Sequence, residues 1–225
     1  MSAKDKKYLF RKPIYFAGIA AIVLIFISFA ANSLFVLFKS SFFSAIYSAV
    51  VFCASIIFLY GFYVIGDKYK SKLLKVLPII GIVGIIVFSL GGVVFGPSLN
   101  SYFVGLNQTL ADYNDTISSL NQSANISSTA IDQLSTEISN KIVEDVFPLL
   151  ATFAVCFFIF VIYAILWGVA LIKLNDKIKY VKVTGVLTVV GACTLIVGVG
   201  LFAFLVAFIF MIVILFDQSK KFEKF

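Results

Sequence analysis

The sequence predicts an all-α fold: a polytopic bundle of transmembrane helices, six spans with five as the alternative, carrying an extracellular antiparallel helical hairpin. Three observations lead there. Of the 225 residues, 61% are hydrophobic and the mean hydropathy is +1.07, too apolar for a single water-soluble core. The apolar residues gather in charge-free runs of about 18 or more, the length that crosses a hydrocarbon core. One long polar segment, residues 98–146, interrupts them and carries a helical repeat of its own. These features divide the chain into 1–97, 98–146 and 147–225.

Lys4, Lys6, Lys7, Arg11 and Lys12 precede the first apolar run, Ile14 to Phe38. At about 25 residues this run exceeds the apolar core of a signal peptide, so it is expected to be retained as a span. A short turn at Lys39-Ser40-Ser41 leads to the second span, Phe42 to Ile65. Lys68, Lys70, Lys72 and Lys75 separate it from the third, Val76 to Gly96. Asn32 is the most polar side chain within a span and is expected near the interface where the first run ends.

In the polar segment, Leu99, Phe103, Leu106, Leu110, Tyr113, Ile117, Leu120 and Ala124 fall at gaps of 4, 3, 4, 3, 4, 3 and 4. That is a seven-residue repeat with one apolar seam. The pattern resumes at Ile131, Leu134, Ile138 and Ile142 after a Ser/Asn-rich stretch. Such side chains bond to nearby backbone and favour turns, so a reversal is expected near residues 121–129. Two helices would then pair seam to seam, as in a coiled coil. Pro97 and Pro148 stand at its base, where a bend or helix restart is expected because proline lacks the backbone donor.

Four Asn-x-Ser/Thr triplets begin at Asn107, Asn114, Asn121 and Asn125. The motif is short, and a segment this rich in Asn, Ser and Thr would hold about one or two by chance. The first three are seven apart and lie beside the seam, where glycans would face solvent, so all four are expected glycosylation sites.

The fourth span, Phe147 to Ile172, leads to Lys173, Lys177, Lys179 and Lys182. The run from Val183 to Phe216 would make a helix of roughly 51 Å, against a core of about 30 Å. It is either one tilted span or two short ones of about 15 to 17 residues, breaking around Gly198-Val199-Gly200. The charge distribution favours two. With both termini inside, sixteen Lys/Arg lie in cytoplasmic segments, and only Lys39 and Lys141 lie outside with six of the acids. That is the positive-inside pattern. The resulting location is a plasma membrane, or a viral envelope derived from one, with residues 98–146 extracellular.

Gly92 and Gly96 form a GxxxG pair, and Gly81, Gly84, Gly191, Gly198 and Gly200 add small residues along the same or the terminal spans. Small residues let helices approach closely in lipid. Either packing within the bundle or a homo-oligomer face would use them. Tyr60, Tyr63, Trp167 and Tyr180 are placed as interfacial anchors at the cytoplasmic boundary.

Histidine is absent, and Cys53, Cys156 and Cys193 all lie within apolar runs. The commonest metal ligand and general base is therefore missing, and no disulfide framework or CxxC knuckle is present. No catalytic, cofactor or metal site is expected, nor a nucleic-acid partner for the net charge of +7, since the lysines sit in short pieces suited to anionic headgroups. Transport and conduction generally use intramembrane ionisable groups or broken helices, and the spans offer only Ser, Thr, Tyr and Asn.

Leu59-Tyr-Gly-Phe-Tyr-Val-Ile-Gly-Asp-Lys-Tyr through Leu73-Leu-Lys-Val, and Val183-Thr-Gly-Val-Leu-Thr-Val-Val-Gly-Ala onward to Phe216, resemble archaeal multipass membrane protein families of unknown function. That resemblance implies an archaeal envelope setting and carries no activity or site residues. The order of spans around one large loop is shared with tetraspanins, but their cysteine motif is missing. The expected function is non-enzymatic and structural: anchoring a hairpin that pairs with a second copy or an envelope protein. A small transporter or channel-like subunit is the alternative.

Overall fold

The fold is all-α. In this computed structural model the described residues are 3–33, 41–122 and 128–221. They form six helices and no strands: α1 Ala3–Ser33, α2 Ser41–Lys68, α3 Lys72–Gln122, α4 Ser128–Ile172, α5 Val181–Thr194 and α6 Val199–Lys221. A 3-10 turn, Leu195–Val197, follows α5. Five helices contain apolar stretches long enough to cross a membrane: Lys12–Phe29, Phe43–Lys68, Lys72–Gly91, Leu150–Ile172 and Val199–Lys221. They fit a membrane-embedded, multipass protein. The sixth, α5 with its 3-10 turn, covers Val181–Val197 and is shorter.

The expected break in the last apolar run falls at Gly198, whose φ of +81° favours a residue without a Cβ. There the chain reverses. Tyr180 at the start of α5 meets Phe210 late in α6, with ring centroids 5.9 Å apart, while Gly191 meets Gly200. Those two pairings make the helices antiparallel.

The expected restarts at Pro97 and Pro148 do not occur, because α3 runs through the first and α4 through the second. A proline forfeits one backbone bond, at a cost of about 3 kcal/mol. A helix end leaves about four donors and four acceptors unpaired, so continuing is the smaller loss. Beside Pro148, Thr152 Oγ1 also donates to the Pro148 carbonyl at 2.8 Å.

The chain forms two compact units. One holds residues 1–86 and 160–225, and the other holds 87–159. In the first, each helix buries a narrow stripe. Ile14, Ala17, Gly18 and Ala21 form it on α1, and Ala54, Phe58, Phe62 and Ile65 on α2. On α5 it is Val181, Thr184, Gly185, Thr188 and Gly191. These are spacings of three and four, one face of a helix. The opposite faces stay apolar and bare, with Phe26 70% exposed and Ile196 78%. Helices apolar all round belong in hydrocarbon.

Close approaches at glycines join the helices of this unit. A Cβ on Gly185 would lie 2.5 Å from the Gly168 carbonyl oxygen, and one on Gly168 would lie 2.7 Å from that of Gly185. α4 and α5 therefore meet backbone to backbone. Gly200 is pressed against the Gly191 carbonyl and the Leu195 backbone, and Gly61 of α2 against Ala17 of α1. Gly81 sits under the Tyr163 hydroxyl, at 2.5 Å from a would-be Cβ. Gly84 and Gly91 face open space, and the surroundings of Gly92 and Gly96 lie outside the described residues. Buried Thr184 and Thr188 return their hydroxyl protons to the carbonyls four residues back, each at 2.8 Å.

These contacts predict opposite outcomes for one substitution. Alanine gains about 1 kcal/mol over glycine in helix propensity, whereas overpacking against a backbone that cannot yield costs about 1–3 kcal/mol. Gly168→Ala, Gly185→Ala and Gly200→Ala should lower the thermal midpoint in detergent, while Gly84→Ala and Gly91→Ala should hold or raise it. Equal effects across the two groups would contradict the packing described.

Candidate functional site

Two features of the first unit carry chemistry: a lysine-rich end and an apolar cleft. The end is built by the α2–α3 turn, the α4–α5 turn and the last turn of α6. The first is a Schellman closure, with Ser71 N–H donating to Gly66 O at 2.9 Å and Lys70 N–H to Asp67 O at 3.2 Å. Lys70 takes the left-handed position usually given to glycine, with φ of 53°. This turn presents Tyr69, whose hydroxyl donates to Gln218 Oε1 at 2.6 Å. Lys177 Nζ donates to the Tyr69 carbonyl at 3.4 Å, bringing in the α4–α5 turn.

Around that junction, Lys75 pairs with Asp67 at 2.6 Å and Lys221 with Asp217 at 2.9 Å. Both pairs are well exposed, so each contributes little to stability. Burial, with the Asp217 carboxylate nearby, pushes the Tyr69 phenol above its ordinary value, so it keeps its proton and stays a donor. The Lys179 ammonium, hydrogen-bonded to Tyr180 and 4.7 Å from its ring centroid, is held above the usual lysine value. Gln218 is fully buried, and Tyr69 is the residue through which the three segments meet, its hydroxyl on Gln218 and its carbonyl on Lys177.

The cleft lies among α1, α2, α4 and α6, with α5 and the 3-10 turn at its edge, and has a volume of about 780 Å³. Phe58, Phe160, Phe204, Phe208, Trp167 and Met211 are among the residues of the wall. The rings interlock, Phe58 with Phe208 at 5.1 Å and Tyr163 with Trp167 at 5.9 Å. Three hydroxyls reach the wall, and each has spent its proton on a backbone carbonyl. Ser28 donates to Leu24 O at 2.8 Å, Thr188 to Thr184 O at 2.8 Å, and Tyr163 to Leu77 O at 3.1 Å.

Trp167 is a correction to the expected interfacial anchors. It is only 5% exposed and packs on Phe62 at 5.3 Å, inside the core. Tyr60 and Tyr63 stack on each other at 6.0 Å, and Tyr60 remains 47% exposed. The three cysteines are exposed and unpaired. Spacing along one helix could not reveal the cleft, whose walls come from helices far apart in sequence. Gly61 and Gly168, which bring those walls together, were not singled out by any GxxxG pattern.

In the second unit, Asn107, Asn114 and Asn121 lie on α3, with side chains outside the described residues, and Asn125 lies outside them entirely. The apolar seam is likewise undescribed at its side chains. Ser101, Val104, Gln108, Ala111 and Asp115, spaced by three and four between seam positions, are all exposed. Thr136, Asn140 and Val143 are exposed on α4.

No family model, no curated protein and no solved structure matches the chain.

The Tyr69–Gln218 bond predicts a coupled pair of variants. Tyr69→Phe leaves a buried amide oxygen without its donor and should cost about 1–3 kcal/mol. Gln218→Leu should cost a similar amount, and the double variant less than the two together. Strict additivity in thermal unfolding would show that the bond does not join these segments.

Proposed function

We propose that this chain is a non-enzymatic integral membrane protein of a cell or viral envelope, whose spans anchor an extracellular helical hairpin for assembly or partner interaction. One observation carries the reading. The apolar stretch of α3, Lys72–Gly91, is 20 residues of a helix of 51. From residue 98 to its end at Gln122 the helix continues for roughly 37 Å at about 1.5 Å per residue, through polar sequence that hydrocarbon would not accept. α4 repeats the arrangement in reverse, being polar from Ser128 and apolar from Leu150. Two such helices joined by a short connection make a rigid hairpin rather than a loose loop.

Its side of the membrane is read from charge. The described basic segments meet at one end of the first unit, around Tyr69 and Gln218. That end belongs in the cytoplasm by the positive-inside rule, with its lysines at anionic headgroups. The hairpin is then exterior, and Asn107, Asn114, Asn121 and Asn125 are its glycan acceptors. Its partner is a second copy or another envelope protein, met through exposed faces of α3 and α4. An archaeal host membrane is the setting that the sequence resemblance suggests. A transporter or channel subunit would need a polar path, and the apolar cleft favours anchoring over that alternative.

In a variant with Cys53, Cys156 and Cys193 replaced by serine, Asp115→Cys should react with a membrane-impermeant maleimide on intact cells. Lys220→Cys should react only after permeabilisation. The reverse pattern would sink the orientation, and with it the exterior hairpin. Intact-mass analysis of protein from its native host should show added hexose mass; bare asparagines at all four positions would remove the glycans from the proposal.

A further inference from the structure

We propose that the cleft of the first unit holds one hydrocarbon chain of a bilayer lipid, entering from the leaflet opposite the lysine-rich end. The wall sets the chemistry of the occupant. Ser28, Tyr163 and Thr188 have committed their protons to backbone carbonyls, and among the described residues no charged side chain lines the cleft. An ordered water needs two to four polar partners. A polar solute needs several well-placed ones. Here the three hydroxyl oxygens can still accept, but they offer no free proton and stand on three different helices, α1, α4 and α5, so the wall favours an apolar occupant.

Dimensions narrow the choice among apolar occupants. The volume of about 780 Å³ is within the usual range for small-molecule sites, about 300–1,000 Å³. An α-helix about 10 Å across would fill it in about 10 Å of length, fewer than two turns. The enclosed space therefore takes in fewer than two turns of a partner helix, whereas a thread-like chain can be taken in along its length. Along α6 the wall runs from Leu201 to Met211. That is roughly 15 Å, half of a hydrocarbon core near 30 Å and so the depth of one leaflet.

The mouth supplies the direction of entry. Ser28, Phe29, Leu195 and Leu201 line the end of the cleft away from the lysines. Just outside it, Ile196, Val197 and Phe202 are 75–78% exposed, an apolar threshold among the described residues. The chain thus slides in sideways, its tip reaching towards Trp167 while its headgroup stays at the interface near the Gly198 turn. The inference needs the first unit to sit in a bilayer and draws on no residue of the hairpin, so its failure would leave the anchoring proposal standing.

Trp167 is the sole tryptophan of the chain and lies in the wall, 5% exposed. It therefore reports occupancy directly. The full-length protein is reconstituted in vesicles of phosphatidylcholine carrying bromine at mid-chain, a short-range quencher, and compared with the unbrominated lipid. Brominated lipid should reduce Trp167 emission at least twofold. Ala164→Phe, which fills the cleft beside Trp167, and Ser28→Phe, which plugs its mouth from α1, should each restore most of the emission. Val183→Phe, on the exposed face of α5, should leave the quenching unchanged. Absence of quenching in the unaltered protein would overturn the proposal. So would quenching that persists in both filled variants, because Trp167 would then be sensing bulk lipid, and so would quenching by aqueous iodide, because the cleft would hold water.

Discussion

Hydrocarbon offers no partner to a backbone N–H or C=O, and the rest of the structure depends on that constraint. Each segment apolar enough to enter a bilayer must satisfy its own peptide groups, so each is a helix. The same medium removes the hydrophobic incentive for helices to associate, because lipid tails are as apolar as leucine. Close contact must replace it. Gly168 against Gly185, Gly191 against Gly200 and Gly61 against Ala17 bring backbones together at distances that no larger side chain would allow. Hydroxyls inside the first unit obey the same rule, turning inward to carbonyls of their own or a neighbouring helix.

Where the helices of the first unit leave the apolar zone, the described residues form a polar junction at the lysine-rich end. Tyr69, Gln218 and Lys177 join three segments that are remote in sequence, and lysines crowd around them. The other end has no comparable junction among the described residues, and it is there that the aromatic cleft has its mouth. The first unit is thus tied at its basic end and open along a leaflet's depth towards the other.

Features written along one helix were legible in the sequence, and features made between helices were not. Apolar runs and the break at Gly198-Val199-Gly200 are properties of consecutive residues, and helices α1 to α6 follow them; the reversal expected near residues 121–129 falls largely outside the described residues. At Pro97 and Pro148 the helices do not restart, because proline's local preference is weak against the groups a helix would leave unpaired by stopping. Trp167 resembles an interfacial anchor in sequence, being close to Lys173, yet its position in the stripe with Ala164, Gly168 and Leu171 turns it inward. The cleft was invisible for the plainest reason: Phe58, Phe160 and Phe208 become neighbours only through the glycine contacts, and a linear pattern does not record which helices those contacts join.

The central claim is that α3 is one uninterrupted helix passing from lipid into water. A nitroxide scan tests it most directly, with labels placed singly at exposed positions from Val76 to Asp115 in reconstituted protein. Collision rates with oxygen report lipid, and those with a polar nickel complex report water. Oxygen should dominate through Leu90 and the nickel complex from Ser101 onward, with a helical period of about 3.6 residues maintained across the change. Oxygen dominance at Gln108 and Asp115, or loss of the period near Pro97, would contradict it.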